Sequence, residues 1–379
     1  MKTIISRKLS INLPQGKSAF LWGPRKTGKS YWLSQNYPDS VKIDFLKSDV
    51  FSEYAMRPSL IRERYASGSG TIVIDEVQMI PDILNEIHWL IENSRLSFIL
   101  TGSSPRKLYR SHANLLGGRA WRFTMEPLTL QETSGFDIES VMVSGLLPPH
   151  YLAEDPLPEL RAYVGDYLKE EISNEARIQN IPSFSKFLRV AAVTSGELLN
   201  YTNVAREAGV SAKTVRGYFQ MLEDTLLGFR LQPWKKSKLR RIIETEKFYL
   251  FDVGVSNFLS RRAPKIGTPE FGKSFEHYIL MELKAWKAYA KPDMDISYWR
   301  TASGYEVDFV LGNMETVIEV KGGGVHDGDL RHIRALREDY KVKKSIAVCL
   351  ESIPRKTQDG IQILPWKNFL EKLWSGEII

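Results

Sequence analysis

Along the first third of the chain, short apolar runs rich in β-branched residues alternate with stretches whose apolar positions recur every three or four residues. Ser18–Leu21, Val41–Phe45, Thr71–Ile74 and Ser97–Leu100 read as strands, with helices such as Ser30–Gln35 and Ile83–Glu92 between them. This alternation predicts a parallel sheet covered by helices. The texture changes at Pro148, Pro149, Pro156 and Pro158, which read as a connector, and helical periodicity then runs from Glu159 to Leu227. A second break at Ser260–Pro269 precedes one long amphipathic helix, Phe271–Ala290. Three short strands follow (Ile296–Arg300, Glu306–Leu311, Thr316–Val320), then a helix near Asp329–Tyr340 and a strand at Ser345–Leu350.

The length of 379 residues predicts two or three domains at roughly 100–200 residues each. Hydrophobic residues at 43% and charged residues at 26% describe an ordinary globular chain rather than a disordered or collagen-like one. No apolar run approaches the roughly 18–20 residues of a membrane helix, and the first ten residues lack the apolar stretch of a secretory signal. The single cysteine, Cys349, forms no internal disulfide and reads as a core residue. A reducing cytoplasm and no membrane partner are therefore expected. The net charge of +7 (52 basic against 45 acidic residues) permits a nucleic-acid partner without demanding one.

Chemistry concentrates first at Gly23-Pro24-Arg25-Lys26-Thr27-Gly28-Lys29-Ser30, which fits G-x-x-x-x-G-K-[ST] between a strand and a helix. The glycines let backbone N–H groups face a phosphate, and the helix N-terminus adds positive dipole. Lys29 is placed to reach the β- and γ-phosphates of ATP, and the Ser30 hydroxyl to ligate Mg²⁺. The strand Thr71–Ile74 ends in Asp75-Glu76, giving a metal-holding carboxylate and a carboxylate to orient the attacking water. A third strand runs into Thr101-Gly102-Ser103-Ser104, where Ser103 is the candidate γ-phosphate sensor. Gly117-Gly118-Arg119 offers an arginine for transition-state charge, in cis or toward a neighbouring subunit of a homo-oligomer.

Asn203–Leu222 reads as helix, turn, helix, with Gly209 in the turn and Ser211 as N-cap. Val204, Ala205 and Ala208 face Val215 and Phe219, and Lys213, Thr214 and Arg216 are left outward. Lys235, Lys236, Lys238, Arg240 and Arg241 follow, between strand-like Gly228–Leu231 and Lys247–Phe251. This pattern resembles a winged helix with a basic wing. It points to DNA contact; the alternative is a structural or protein-docking module.

In the last third, Glu276 lies on the long helix, Asp308 in a strand, and Glu319 and Lys321 on the next strand, where positions i and i+2 share a face. Gly312-Asn313 supplies a turn that brings Asp308 beside them. Neighbouring carboxylates attract a hard divalent ion such as Mg²⁺, and a lysine beside metal-bound water helps position or deprotonate it. The alternative is a hairpin with ordinary surface charges. His326 and His332 flank this group as surface residues.

Together GPRKTGKS, IVIDEVQMIPDIL, FILTGSSPRKL, GGRAWRFTMEPLTLQE, YWRTASGYEVDFVL and VIEVK resemble a family of bacterial and archaeal ATPases. In that family an AAA+-like P-loop domain is fused to a C-terminal domain of unknown function. The resemblance covers nearly the whole chain. It implies ATP binding at Lys29 and Ser30, with Asp75 and Glu76 as the acidic pair, and it matches Arg119 to the arginine after the sensor strand. It further implies a restriction-endonuclease-like core with metal positions at Glu276, Asp308 and Glu319 and a catalytic lysine at Lys321. Val307, rather than proline, precedes Asp308. The expected fold is α/β throughout. A P-loop NTPase parallel sheet spans residues 1–145, a helical connector 146–190, a winged-helix-like part 191–262 and a nuclease-like core 263–379. Two functions follow: an ATP-driven protein acting on DNA with a C-terminal nuclease, or a nucleotide-dependent regulatory or scaffold switch whose nuclease-like fold only binds. A plain transcription regulator is a third reading, disfavoured by the intact phosphate loop.

Overall fold

The computed structural model describes residues 5–14, 16–106, 108, 116–171, 178, 180–234 and 242–379. The chain divides into two compact units. One extends to Glu126 and takes in Asp224–Leu226; the other comprises Pro127–Glu223 and Leu227–Ile379. No helix among the described residues is long and apolar enough to cross a membrane.

In the first unit, β1 (Ser18–Trp22), β2 (Val41–Asp44), β3 (Ser69–Asp75), β4 (Arg95–Gly102) and β5 (Ala120–Thr124) form one sheet in the order β2-β3-β4-β1-β5. Every pairing is parallel. The interior strand β1 is buried at all five positions, which is why it reads as a continuous apolar run rather than an alternating one. Phe20, Ile74, Phe98 and Leu100 pack with Ile83, Ile87 and Leu90 of the helix Ile83–Asn93. Parallel strands present their carboxyl ends at one edge of the sheet, where ligands of such sheets bind. The turns after β1, β3 and β4 therefore meet although they lie far apart in sequence.

The second unit holds an eight-stranded sheet. Its strands are β6 (Gly228–Pro233), β7 (Lys247–Leu250), β8 (Ile296–Arg300), β9 (Glu306–Leu311), β10 (Thr316–Val320), β11 (Lys344–Cys349), β12 (Arg355–Lys356) and β13 (Gln362–Pro365). The order is β12-β13-β11-β10-β9-β8-β6-β7. The two strands expected to flank the basic wing form the edge of a larger sheet: β6 pairs antiparallel with β7 and parallel with β8. The boundary drawn at 262/263 separates stretches that share this sheet.

The helix–turn–helix itself is present. Helices Tyr201–Ala208 and Ala212–Asp224 flank Gly209, whose φ of +70° is the left-handed turn conformation, and Ser211 Oγ accepts from Thr214 N at 3.1 Å. Val204, Ala208, Val215 and Phe219 join Phe184 and Phe187 in one core. The basic residues Lys235, Lys236, Lys238, Arg240 and Arg241 lie outside the described residues.

Residues 127–145, grouped by sequence with the phosphate-loop part, belong to the second unit. Asp252 accounts for this. Its carboxylate accepts from Leu146 N and Val255 N at 2.8 and 2.9 Å, and Asn257 donates to the Met142 carbonyl at 2.8 Å. A Cβ on Gly254 would stand 2.2 Å from Gly145 N, so only glycine permits this approach.

Candidate functional site

The loop after β1 turns tightly through Lys26 (φ +64°) and Gly28 (φ +93°) into the helix Lys29–Asn36. Thr27 Oγ1 donates to the Pro24 carbonyl at 2.8 Å. Arg7 reaches the Thr27 carbonyl at 2.5 Å and the Glu126 carbonyl at 2.6 Å, pinning the loop from outside. The buried Lys29 ammonium donates to the carbonyls of Gly23 and Pro24 at 2.7 and 3.1 Å. Burial brings its pKa down to about 8, while Glu76 and Asp75 oppose that fall. A partly desolvated ammonium held at a loop mouth is well matched to a polyanion, whose charge restores what burial removed.

Ser30 Oγ donates to Asp75 Oδ2 at 2.7 Å, and Thr101, at the end of β4, donates to Asp75 Oδ1. The two hard oxygens of Ser30 and Asp75 thus converge as Mg²⁺ requires, and the residues present fit a metal–nucleotide pair. Glu76 follows in the left-handed region (φ +58°), which turns its carboxylate away from that of Asp75. The Gln78 amide donates to Glu76 Oε2 and lies 3.3 Å from Ser103 Oγ, and Ser103 Oγ is 3.5 Å from Glu76 Oε2. Gly102 allows this packing: a Cβ there would stand 2.1 Å from Gln78 Oε1. Sequence reasoning missed Thr101 and Gln78. The signal was a glutamine two residues past Glu76 in an otherwise apolar stretch, and a hydroxyl one strand over from the acidic pair.

Arg119 is elsewhere. It precedes β5, and its carbonyl accepts from Ser18 N at 3.1 Å where β1 begins. Parallel pairing therefore sets it at the amino end of the sheet, a strand length of roughly 15 Å from the phosphate loop. Its guanidinium binds Glu92 Oε1, with Nε at 2.8 Å. The expectation of an arginine acting in cis at the phosphate loop is corrected by this strand direction.

In the second unit the hairpin β9–β10 brings Asp308, Glu319 and Lys321 together. Asp308 Oδ2 accepts from Val320 N at 2.7 Å, and Lys321 Nζ donates to Glu319 Oε1 at 2.8 Å, as positions on a shared strand face should. Burial, then neighbouring Glu319 and Glu276, holds the Asp308 carboxyl well above its ordinary value. Burial pushes Glu319 up to about 7 against the pull of Lys321. Glu276 faces different partners. Its Oε1 accepts from Tyr249 OH at 2.6 Å and lies 3.5 Å from Lys247 Nζ, which is 2.6 Å from Glu306 Oε1. Arg300 Nη1 donates to Glu306 Oε2 at 2.7 Å. Burial lowers the Lys247 pKa, but the carboxylates of Glu276, Glu306 and Asp308 outweigh it and hold the ammonium charged.

Among the described residues no three His, Cys, Asp or Glu side chains are disposed to hold a metal ion. The set Glu276, Asp308 and Glu319 expected for Mg²⁺ does not fit the group, because Glu276 is engaged by Lys247 and Tyr249. Lys247, Tyr249, Arg300 and Glu306 were not singled out in the sequence, since nothing local marks a lysine in a short edge strand. His332 Nδ1 accepts from Glu306 N at 3.3 Å, and His326 is exposed. Cys349 is buried.

Three family models match successive parts of the chain. Residues 15–134 match the model of an AAA domain, residues 135–265 a domain of unknown function (DUF8612) and residues 271–369 another (DUF4143). An uncharacterized protein of Mycobacterium tuberculosis is 26% identical over 251 residues, covering 64% of this chain and 56% of its own. The chain thus spans little more than half the length of that relative. An uncharacterized protein of Haemophilus influenzae is 22% identical over 382 residues, 90% of this chain and 91% of its own. One of Methanocaldococcus jannaschii is 23% identical over 355 residues, 84% and 77%. Among solved structures, the Aeropyrum pernix Orc1 protein in complex with DNA aligns over 65% of this chain and 86% of its own, at 14% identity and a TM-score of 0.26. A signal transduction ATPase with numerous domains from Pyrococcus horikoshii aligns over 73% and 46%, at 14% identity and a TM-score of 0.21. Most of the first unit thus falls within the AAA match.

Proposed function

We propose that the first unit binds ATP with Mg²⁺ and hydrolyses it, making the protein a nucleotide-dependent switch. The observation that carries the reading is the convergence of three strand ends. Ser30, Asp75 and Thr101 form one hydrogen-bonded group, and Glu76, Gln78 and Ser103 form a second beside it. In this reading Lys29 and the backbone of Gly23–Gly28 bind the phosphates, and Ser30 and Asp75 hold Mg²⁺. The ion supplies charge neutralisation at the phosphates. Glu76 orients the attacking water and takes its proton, held in place by Gln78 and Ser103. Measuring ATP hydrolysis by the full chain, by Lys29→Ala and by Glu76→Gln tests this. Hydrolysis is expected to fall in both, and undiminished hydrolysis in both overturns the assignment.

A DNA-contacting role for the helix–turn–helix is supported by the exposure of Lys213 and Arg216 on its second helix and by the five charges of 235–241. If all five meet phosphates, their contribution to the salt dependence is a slope of about −4 to −5. Neutralising Lys235, Lys236, Lys238, Arg240 and Arg241 together should then weaken binding to duplex DNA and flatten that dependence. An unchanged slope removes the segment from the interface.

A further inference from the structure

The carboxylates of the C-terminal core already face a cation, and the chain itself supplies it. Lys247 Nζ lies 2.6 Å from Glu306 Oε1 and 3.5 Å from Glu276 Oε1. It stands 5.3 Å from the centre of the Tyr298 ring, whose face favours a cation. The side chain is 4% exposed. Its backbone is held on both flanks, pairing with Leu231 in β6 on one side and bridging Leu198 on the other.

The consequence for metal binding is direct. A Mg²⁺ ion needs oxygen ligands at about 2.0–2.1 Å in an octahedral array. The Glu276 oxygen nearest the cluster already accepts from Tyr249 OH at 2.6 Å and faces the ammonium. A divalent ion there would meet a like charge a few ångströms away in a poorly solvated place, where that repulsion is strong. The cluster is not sealed off. A cleft of about 390 Å³ lined by Ser195, Lys247, Lys273, Glu276, Arg300 and Glu306 opens onto it, so ions have access. Nor is it without ligating capacity: Glu319 Oε2 is buried with no hydrogen-bond partner.

We infer that the Lys247 ammonium is the resident cation of this acidic cluster, standing where a nuclease-like core would hold its metal, and that the core takes up no divalent ion while Lys247 is in place. The core then serves binding rather than phosphodiester cleavage. This inference is independent of the ATPase reading, since it rests on other residues in the other unit.

The test is titration of the full chain with Mn²⁺ alone, followed by electron paramagnetic resonance. It is done in an Asp75→Asn background, which removes the carboxylate assigned to metal at the first unit's loop. That parent protein is expected to bind no Mn²⁺ at the C-terminal core at millimolar concentration. Adding Lys247→Met should create one site, tighter than anything in the parent by roughly tenfold or more, and a further Asp308→Asn should abolish it. Two results overturn the inference: Mn²⁺ binding by the parent that disappears with Asp308→Asn, or a folded Lys247→Met protein that gains no site. Should Lys247→Met fail to fold, the parent and its Asp308→Asn derivative still decide, because Asp308-dependent binding by the parent sinks the idea and its absence upholds it.

Discussion

The two polar centres are built in opposite ways. At the phosphate loop, the residues that touch the expected ligand come mostly from one stretch of eight, and the lysine lies back on its own loop carbonyls at 2.7 and 3.1 Å. Its carboxylates, Asp75 and Glu76, hydrogen-bond hydroxyl and amide groups, with the Lys29 ammonium near enough to feel their charge. In the C-terminal core, carboxylates from a helix and two strands are tied to Lys247, Lys321 and Arg300. The first arrangement holds its anions by neutral donors, leaving them free of direct ion pairs; the second answers its anions with direct ion pairs. Breaking a buried pair by removing one partner commonly costs several kcal/mol, whether or not the intact pair adds to stability.

The largest effect should come from Glu76→Gln. It preserves shape and the Gln78 contact but removes the proton acceptor, so single-turnover hydrolysis should slow by roughly 10²–10⁴-fold while ATP still binds. A normal rate would move the base elsewhere. Lys29→Ala comes next, with a loss of roughly 10²–10³ in turnover, the scale for removing one charge-stabilising donor. Equilibrium binding of a fluorescent ATP analogue should weaken with it, and retained affinity would break the picture of a lysine serving the phosphates. Gln78→Ala sharpens the comparison. Without its amide Glu76 keeps only the 3.5 Å approach of Ser103, so turnover should fall by about tenfold, the cost of losing one hydrogen bond to a charged group. If the rate holds, Gln78 is mere packing.

The smallest effect lies in the other centre and reads as a pH slope. Glu319 has a folded value near 7 against an ordinary 4.5. Between these values the folded chain holds a proton that the unfolded chain has released. Stability from this group is therefore present below about pH 4.5, falls as pH rises toward 7 and is constant above, a change on the order of 3 kcal/mol at most. Thermal melting of wild type and Glu319→Gln from pH 4.5 to 8 should show a steeper fall in the wild type, the difference being this slope, since Asp252 and Glu282 titrate in both. Parallel curves would mean that Lys321 keeps the carboxylate ionised throughout.

Periodicity located most elements closely. The strand expected at Thr71–Ile74 runs Ser69–Asp75, and the long helix expected from Phe271 begins at Pro269. Element ends moved because caps lie outside the apolar pattern: Thr268 Oγ1 accepts from Phe271 N at 3.2 Å and starts that helix early. The Gly23–Ser30 loop was legible because its motif is contiguous and its conformation local. Asp308, Glu319 and Lys321 were legible as neighbours because strand alternation and one hairpin suffice to join them. Arg119 was not, since its usefulness depends on which end of β5 it occupies, and strand direction is a property of the assembled sheet.

By itself, then, the sequence determined the strand–loop–helix around Gly23–Ser30, the acidic pair after β3, the helix–turn–helix and the shared face of Glu319 and Lys321. Each is dictated by residues close along the chain, through backbone geometry and side-chain periodicity. Only the tertiary structure decided that β6 and β7 extend the C-terminal sheet, that Arg119 stands away from the phosphate loop, and that Lys247 reaches Glu276 and Glu306. Those outcomes depend on strand order and direction across dozens of residues. They are selected by burial of whole sheet faces, and a local pattern carries no record of that selection.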